Sequence, residues 1–450
     1  MVKIGLEIHG YILTREKLFC KCLSSHGKKS HNPNTNICPI CTGQPGSKPL
    51  LPNEEAVKKA MQVALVLNCK INQRLFWQRK HYSWPDLPKG FQSTLSGPYA
   101  IPTGTGGEFE GIRITECHLE EDPAAWNPET GEIDYNRSGA PLIEIVTEPD
   151  FKESEQVIEW LKNLLTALSY IKAIDRKSGI KADVNISITG GKRIELKNIN
   201  SLRKIKDAIG IEIARQKKSV PKEEQTRMYD EEAKTTKLMR SKENAIDYRF
   251  IREVDLPTIE IDSNLIKELK KTIPELPSSR LKRIIKDYKI DDYNAKILTK
   301  EIEIVDLFEF VCKKVGVKLA LNWVVQEFLS VINYNKLHPS DLEIVPEHFV
   351  ELLEGLKNKK ITELKAKEIL RNWVPKSFSP KEEMEKNSKL SKEDILKFIE
   401  RAIKENPKAV EDYRSGFKGA INFLVGAVMK HSNKRADFKL TKELLEKELK

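Results

Sequence analysis

The chain has 450 residues, 39% hydrophobic and 32% charged, with 77 Lys and Arg against 66 Asp and Glu and a net charge of +11. At roughly 150 residues per domain this length predicts about three domains, and the composition excludes a wholly disordered or collagen-like chain. The basic excess suits polyanionic partners, seven cysteines are too few for a secreted disulfide scaffold, and no run of about 18 apolar residues exists to span a membrane.

In chain order, Val2, Ile4, Leu6 and Ile8 alternate with Lys3, Gly5, Glu7 and His9, which predicts a strand. Acid and histidine stand where a signal peptide needs an apolar run, so a cytoplasmic chain is expected. Residues 54–67 follow a helical period, as do segments from about 153 to 167 and 202 to 217. Val184, Ile186 and Ile188 run into Gly190-Gly191, and Ile194 and Leu196 then resume the alternation, which predicts a hairpin with a glycine turn. Breaks at Asp255-Leu256-Pro257 and Pro274-Glu275-Leu276-Pro277 end the mixed region. Beyond them Ile304, Val305, Phe308, Val311 and Cys312, and then Phe349, Leu352, Leu353 and Leu356, keep helical spacing. A second break runs from Pro375 to Leu390. Ser391-x-x-Asp394 then resembles a capping box opening a helix whose apolar face is Ile395, Phe398, Ile399, Ala402 and Ile403.

Two constellations carry chemistry. Cys20-x-Cys22 and Cys38-Pro39-Ile40-Cys41 bring two thiol pairs across a polar loop, the spacing of a closed, structural Cys₄ zinc site. The competing reading is reduced cysteines scattered in loops. His26 and His31 are spare ligands, and Cys69, Cys117 and Cys312 read as packing residues in apolar surroundings.

The second is acidic. Alternation puts Glu7 and His9 on one face of the first strand. His118-Leu119-Glu120-Glu121-Asp122 ends in three acids, Glu144 and Glu148 mark an apolar strand, and Asp183, Asn185 and Ser187 face away from Val184 and Ile186. Arg193, Glu195 and Lys197 lie on the hairpin's other strand. Carboxylates gathered on neighbouring strands are costly unless cations or bases pair with them. Oxygen ligands with one imidazole suit Mg²⁺ or Mn²⁺, ions that typically bridge nucleotide phosphates. The alternative is a set of ordinary solvated strand faces. Gly190-Gly191-Lys192-Arg193 lacks the spacing and the Ser or Thr of a phosphate-binding loop, and no Gly-x-Ser-x-Gly elbow occurs, so any ATP has to sit on a sheet face.

The motifs Gly5-Leu6-Glu7-Ile8-His9, Tyr82-Ser83-Trp84-Pro85-Asp86-Leu87-Pro88-Lys89-Gly90-Phe91-Gln92 and His118-Leu119-Glu120-Glu121-Asp122 resemble the B-subunit family of the glutamine-dependent aspartyl/glutamyl-tRNA amidotransferases. So do Asn136 to Asp150, Glu195-Leu196-Lys197-Asn198-Ile199-Asn200-Ser201 and the segment Gly419 to Lys430. The resemblance covers nearly the whole chain. It implies an α+β fold: a glutamine-synthetase-like cradle domain over residues 1–275 with a zinc-binding loop at 20–41, an all-α helical domain over 276–380, and a small helical YqeY-like tail over 381–450 that binds tRNA.

The activity implied is ATP-dependent phosphorylation of the side-chain carboxylate of Asp or Glu misacylated onto tRNA, followed by amidation. The ammonia comes from a separate glutaminase, the amidase A-subunit, and a small C-subunit completes a heterotrimer. By the same resemblance His9, Glu121 and Glu144 are the Mg²⁺ (or Mn²⁺) ligands, with Glu7, Glu148 and Asp183 as catalytic neighbours. Arg79, Lys80 and Lys197 are expected to contact phosphate, and Cys20, Cys22, Cys38 and Cys41 to hold zinc. The segment Trp77–Phe91 reads either as a stacking platform for the terminal bases of tRNA or as a Pro-rich turn packed in the core. Arg414, Lys418, Lys430, Lys434 and Arg435 read either as RNA contacts or as a solvated charged face. A non-catalytic tRNA-binding scaffold and a free-standing small-molecule amide ligase are the competing functions.

Overall fold

The first alternating segment forms strand β1 (Val2–Tyr11), whose Ile4, Leu6 and Ile8 are buried. It lies inside a 12-stranded sheet. The other strands used below are β2 (Gln78–His81), β3 (Phe91–Thr94), β4 (Gly104–Phe109), β5 (Ile112–Glu121), β6 (Pro141–Thr147), β7 (Ile180–Ile188), β8 (Ile194–Ile199), β9 (Gln225–Asp230), β10 (Thr235–Ser241) and β11 (Arg249–Arg252). Their spatial order is β10-β9-β8-β7-β1-β6-β5-β3-β2-β11, with β4 beside β5 and the short strand Lys70–Ile71 beside β4. β8 and β9 run parallel; the other pairings described within this sheet are antiparallel. The turn between β7 and β8 uses Gly190 at φ +80°, a conformation that suits a residue without Cβ.

The structure, a computed structural model, describes residues 1–24, 32–175, 179–241, 248–386 and 388–449. His26 and His31 lie outside the described residues. The chain divides into two units, Met1–Ser279 and Arg280–Lys450.

In the first unit, helices α1 (Glu54–Val66), α2 (Ser154–Tyr170) and α3 (Leu202–Lys218) cover one face of the sheet. Asn53 caps α1 by accepting from the Ala56 N–H, and Ser201 caps α3 by accepting from that of Lys204. The core beneath them is built from alternate strand residues: Ile4, Leu6 and Ile8 of β1, Cys117 and Leu119 of β5, Ile143 and Ile145 of β6, Val184 and Ile186 of β7. A face buried this way forces the intervening residues onto the opposite face, where the charged ones collect.

The second unit is helical. It contains α4 (Ile302–Val315), a π-helical stretch at Asn322–Phe328, α5 (Pro346–Lys357) and α6 (Glu363–Arg371). Then follow α7 (Lys392–Glu405), α8 (Pro407–Arg414), α9 (Ala420–His431) and α10 (Phe438–Glu448). The apolar spacing read from the sequence is buried as expected: Ile304, Val305, Phe308, Val311 and Cys312 on α4, and Phe349, Leu352 and Leu353 on α5. Ser391 caps α7 by accepting from the Asp394 N–H. Residues between Ile395 and Leu449 gather a hydrophobic cluster of their own. Among the described residues no helix is long and apolar enough to cross a membrane.

Candidate functional site

Opposite the helix-covered face, the register of four strands brings the titratable side chains of the first unit together. His9 of β1 stands across from Glu144 of β6, and Glu144 across from His118 of β5. Glu120 is two residues along β5 from His118 and so shares its face. His9 Nδ1 lies 3.4 Å from Glu120 Oε1 and 3.9 Å from Glu144 Oε2. His118, with 1% of its side chain exposed, has Nε2 3.1 Å from Glu144 Oε2 and Nδ1 3.1 Å from Glu116 Oε1. His9, Glu120 and Glu144 each offer one ligand atom within 4.8 Å of the other two. That set, two carboxylates and an imidazole, is a hard donor set suited to Mg²⁺ or Mn²⁺.

The electrostatics follow from this crowding. Burial disfavours the charged form of both imidazoles, but Glu144 and Glu120 hold His9 up at about 9. Glu144 and Glu116 hold His118 at about 10. Burial likewise works against ionisation of Glu144, yet His118 and His9 keep its carboxyl well below the usual carboxylate range.

A second acidic group lies beside the first. Glu7 pairs across the sheet with Asp183, and with Glu195 they place three carboxylate oxygens within 4.8 Å of one another. Lys197 Nζ is 2.5 Å from Asp183 Oδ2 and 2.7 Å from Glu195 Oε1, so its ammonium is held between two acids. Asn185 Nδ2 donates to Glu7 Oε1 at 3.0 Å. Burial raises the Glu7 carboxyl, with Lys197 opposing.

Of the residues singled out from the sequence, Glu7, His9, Glu144 and Asp183 therefore meet on one face. Glu121 does not join them. The pleat turns its side chain away from that of Glu120, and Oε1 instead lies 2.5 Å from Lys89 Nζ and accepts from the Ser93 N–H at 2.8 Å. On the face shared with His9 and Glu144, β5 presents Glu120 instead. Glu148 is also elsewhere. It lies four residues beyond Glu144, roughly 13 Å along a strand, past a register shift between Val146 and Thr147, and accepts from the Thr115 hydroxyl at 2.8 Å.

Arg79, expected to contact phosphate, is engaged by acids through Nε and Nη2. Its guanidinium binds Glu253 through two hydrogen bonds of 2.9 and 2.6 Å and Asp255 at 2.7 Å. Neighbouring Lys80, on the other face of β2, lies over the Tyr248 ring at 4.9 Å and adds to the positive field that keeps Glu144 ionised. Trp77 is 2% exposed and meets Phe19 edge to face at 5.0 Å, a core contact, whereas Trp84 is 55% exposed and meets Trp126 at 5.4 Å. The core reading of the Trp77–Phe91 segment therefore holds at Trp77, while Trp84 is exposed beside Trp126. Sequence reasoning did not assign roles to Glu120, Glu195 and His118; the alternation of Glu116, His118 and Glu120 along β5 is the signal that places Glu120 and His118, and the alternation of Glu195 with Ile194 and Leu196 along β8 the one that places Glu195.

The thiols form a separate centre. The sulfurs of Cys20, Cys22, Cys38 and Cys41 all lie within 4.8 Å of one another, and those of Cys38 and Cys41 are 3.9 Å apart. Four thiolates about 2.3 Å from a zinc ion stand about 3.8 Å from each other, so the donor set and its spacing fit. A hydrogen bond from Cys20 and, against the effect of burial, the charge of Lys17 hold the Cys41 thiol down at about 4. Lys17 is 1% exposed; its Nζ reaches Cys41 Sγ at 3.4 Å and the carbonyls of Asn36 and Tyr135 at 2.9 and 3.1 Å. Cys69, Cys117 and Cys312 are buried outside this cluster, as expected of packing residues.

Comparison with known proteins agrees over the full length. A family model described as the GatB/GatE catalytic domain matches residues 2–267, and one described as the GatB domain matches residues 306–449. The chain is 41% identical to the B-subunit of the aspartyl/glutamyl-tRNA(Asn/Gln) amidotransferase of Methanothermobacter thermautotrophicus, with 100% of both chains covered. It is 42% identical to the protein of the same name from Methanobrevibacter smithii, over 98% of this chain and 99% of that one. For Methanocaldococcus jannaschii the identity is 43%, over 100% and 98%.

Proposed function

The chain belongs to the GatB family, and from that premise we propose that it activates and amidates the side-chain carboxylate of Asp or Glu carried on tRNA. The observation that carries this reading is the meeting of His9, Glu120 and Glu144 on the uncovered face of the sheet. In the first step a carboxylate oxygen of the aminoacyl group attacks the γ-phosphorus of ATP and ADP leaves. In the second, ammonia attacks the acyl phosphate, phosphate leaves, and the amide remains on the tRNA.

His9, Glu120 and Glu144 would hold a Mg²⁺ or Mn²⁺ ion, which supplies neutralisation of charge on a transferring phosphoryl group. The chain's own residues prepare that place. His118 and Lys80 keep Glu144 ionised, and the His9 ring is fixed between two carboxylates. Lys80 is the cation we assign to ATP phosphates. Lys197 instead sets the positions of Asp183 and Glu195, which with Glu7 form the acidic border of the site. Cys20, Cys22, Cys38 and Cys41 would hold a structural zinc ion.

Three parts follow: a glutamine-synthetase-like cradle over 1–275, a helical domain over 276–380, and a YqeY-like tail over 381–450 whose basic residues contact tRNA. The partners are an amidase A-subunit that releases ammonia from glutamine, a small C-subunit, and misacylated tRNA, in a cytoplasmic heterotrimer.

The test is amidation of Asp-tRNA and Glu-tRNA by the complex rebuilt with its amidase. Glu144→Gln should abolish amidation and tRNA-dependent ATP hydrolysis while tRNA binding persists. Amidation that survives this change would refute the assignment. Tight tRNA binding without ATP hydrolysis by the wild type would leave the scaffold reading standing, and turnover without tRNA would point to a small-molecule ligase.

A further inference from the structure

His118 belongs to no ligand group on the sheet face, yet it is the most enclosed of the charged side chains there. Its ring is wedged between two carboxylates, Nε2 hydrogen-bonded to Glu144 Oε2 at 3.1 Å and Nδ1 at 3.1 Å from Glu116 Oε1, a charge contact without hydrogen-bond geometry. Glu116 is itself fixed from behind, because the Ser96 hydroxyl donates to its Oε1 at 2.6 Å. A continuous chain of contacts therefore runs Ser96–Glu116–His118–Glu144 across strand β5 and its neighbours, ending on the oxygen of Glu144 that also faces His9. A carboxylate on a strand has two free side-chain torsions beyond Cβ and would otherwise swing among rotamers. Ligands pinned in one orientation by a hydrogen bond from behind bind a metal more tightly than free ones.

We infer that His118 is a positioning residue: its Nε2–H, aimed by Glu116 and Ser96, locks the Glu144 carboxylate so that its other lone pairs converge with Glu120 and His9 on one divalent cation. The inference rests on the reading that His9, Glu120 and Glu144 form the cation site. A buried histidine kept only for packing would need neither the second carboxylate nor the serine behind it.

The measurement is Mn²⁺ binding to the full-length, zinc-loaded chain, followed by the electron paramagnetic resonance signal of free Mn²⁺, with melting temperature recorded for every variant. The amide nitrogen of glutamine reaches the place of imidazole Nε2, whereas that of asparagine reaches only the place of Nδ1. We expect His118→Asn to weaken the tightest Mn²⁺ site about 10- to 100-fold, His118→Gln to restore it to within about threefold of wild type, and Glu116→Gln to weaken it about three- to tenfold.

Wild-type binding by His118→Asn overturns the inference. So does equal weakening by the Asn and Gln variants, which would make the ring a space filler. If His118→Asn does not fold, Glu116→Gln decides: unchanged Mn²⁺ affinity there overturns the inference. Glu144→Gln separates this from the reading beneath it. Mn²⁺ binding that survives Glu144→Gln removes the cation site from these residues and the inference with it. Binding lost in Glu144→Gln but kept in His118→Asn leaves the site standing and removes only the role of His118.

Discussion

Two half-buried glutamates show how differently charge can be used in the two units. In the helical unit, Glu309 is met by Arg280 and Arg283 and by the Tyr288 hydroxyl, with Arg280 also bound to Asp306. Its partners are guanidiniums, charged at any ordinary pH, and the arrangement is closed. In the sheet unit, Glu144 is met by His9 and His118. Those imidazoles are cationic near neutrality because the carboxylates hold protons on them, so part of the compensating charge is a proton that a divalent ion can replace. Burial of an acid alone therefore marks neither region. The nature of its partner separates a helix clamp from a binding site.

The largest effect that can break this contrast lies on β5. Glu120→Gln should lower amidation by about 10² to 10³-fold, the scale of removing a group that stabilises transition-state charge, whereas Glu121→Gln should lower it less than about tenfold. Equal losses would place both acids at the site and contradict the strand pleat. The thiol centre sharpens the same point from another side, since clustered sulfur anions are tolerable when a metal binds them. Cys38→Ser should release zinc and lower the melting temperature by on the order of 10 °C, read by calorimetry together with metal content.

Smaller effects distinguish the two basic residues of β2. Lys80→Ala should raise the KM for ATP about tenfold, the equivalent of one charge-assisted hydrogen bond, while Arg79→Ala should change it less than about threefold. Arg79→Ala should instead lower the melting temperature, because Glu253, with 1% of its side chain exposed, loses its partner. A KM effect confined to Arg79 would reverse that assignment.

The smallest effect belongs to the helix clamp. Glu309→Gln should cost about 2 kcal/mol of stability and leave amidation intact. Burial opposes its ionisation, but Arg283 and Arg280 hold the carboxyl down at about 2. A depressed acid stabilises above its unfolded value, about 4.5, and loses that contribution as pH falls through its folded value. The difference between wild type and variant should therefore be full at pH 6 and shrink between about pH 4.5 and 2, measured by denaturant melts.

How far the sequence could be read depended on whether an element is local. The four cysteines fall in one loop region of 22 positions, so spacing alone proposed their grouping. The core faces of β1, β6 and β7 follow from strict alternation, and the burial of Ile4, Leu6 and Ile8 left no other face for Glu7 and His9. Family resemblance pointed to Glu121, whereas counting in twos from Glu116 through His118 points to Glu120, the acid that the pleat presents beside His9 and Glu144. Arg79 looked free because the acids that bind it, Glu253 and Asp255, are 174 and 176 residues away and on a strand-end segment without a strong pattern. Long-range pairings of this kind are set by sheet order, which no local period encodes.

The most direct measurement is an anomalous-diffraction crystal structure of the chain with Mn²⁺ and a non-hydrolysable ATP analogue. The account expects a manganese peak bonded to a His9 ring nitrogen and to carboxylate oxygens of Glu120 and Glu144, with the analogue's phosphates beside it. A peak bonded to Glu121, or manganese bound away from His9 and Glu144, would contradict it.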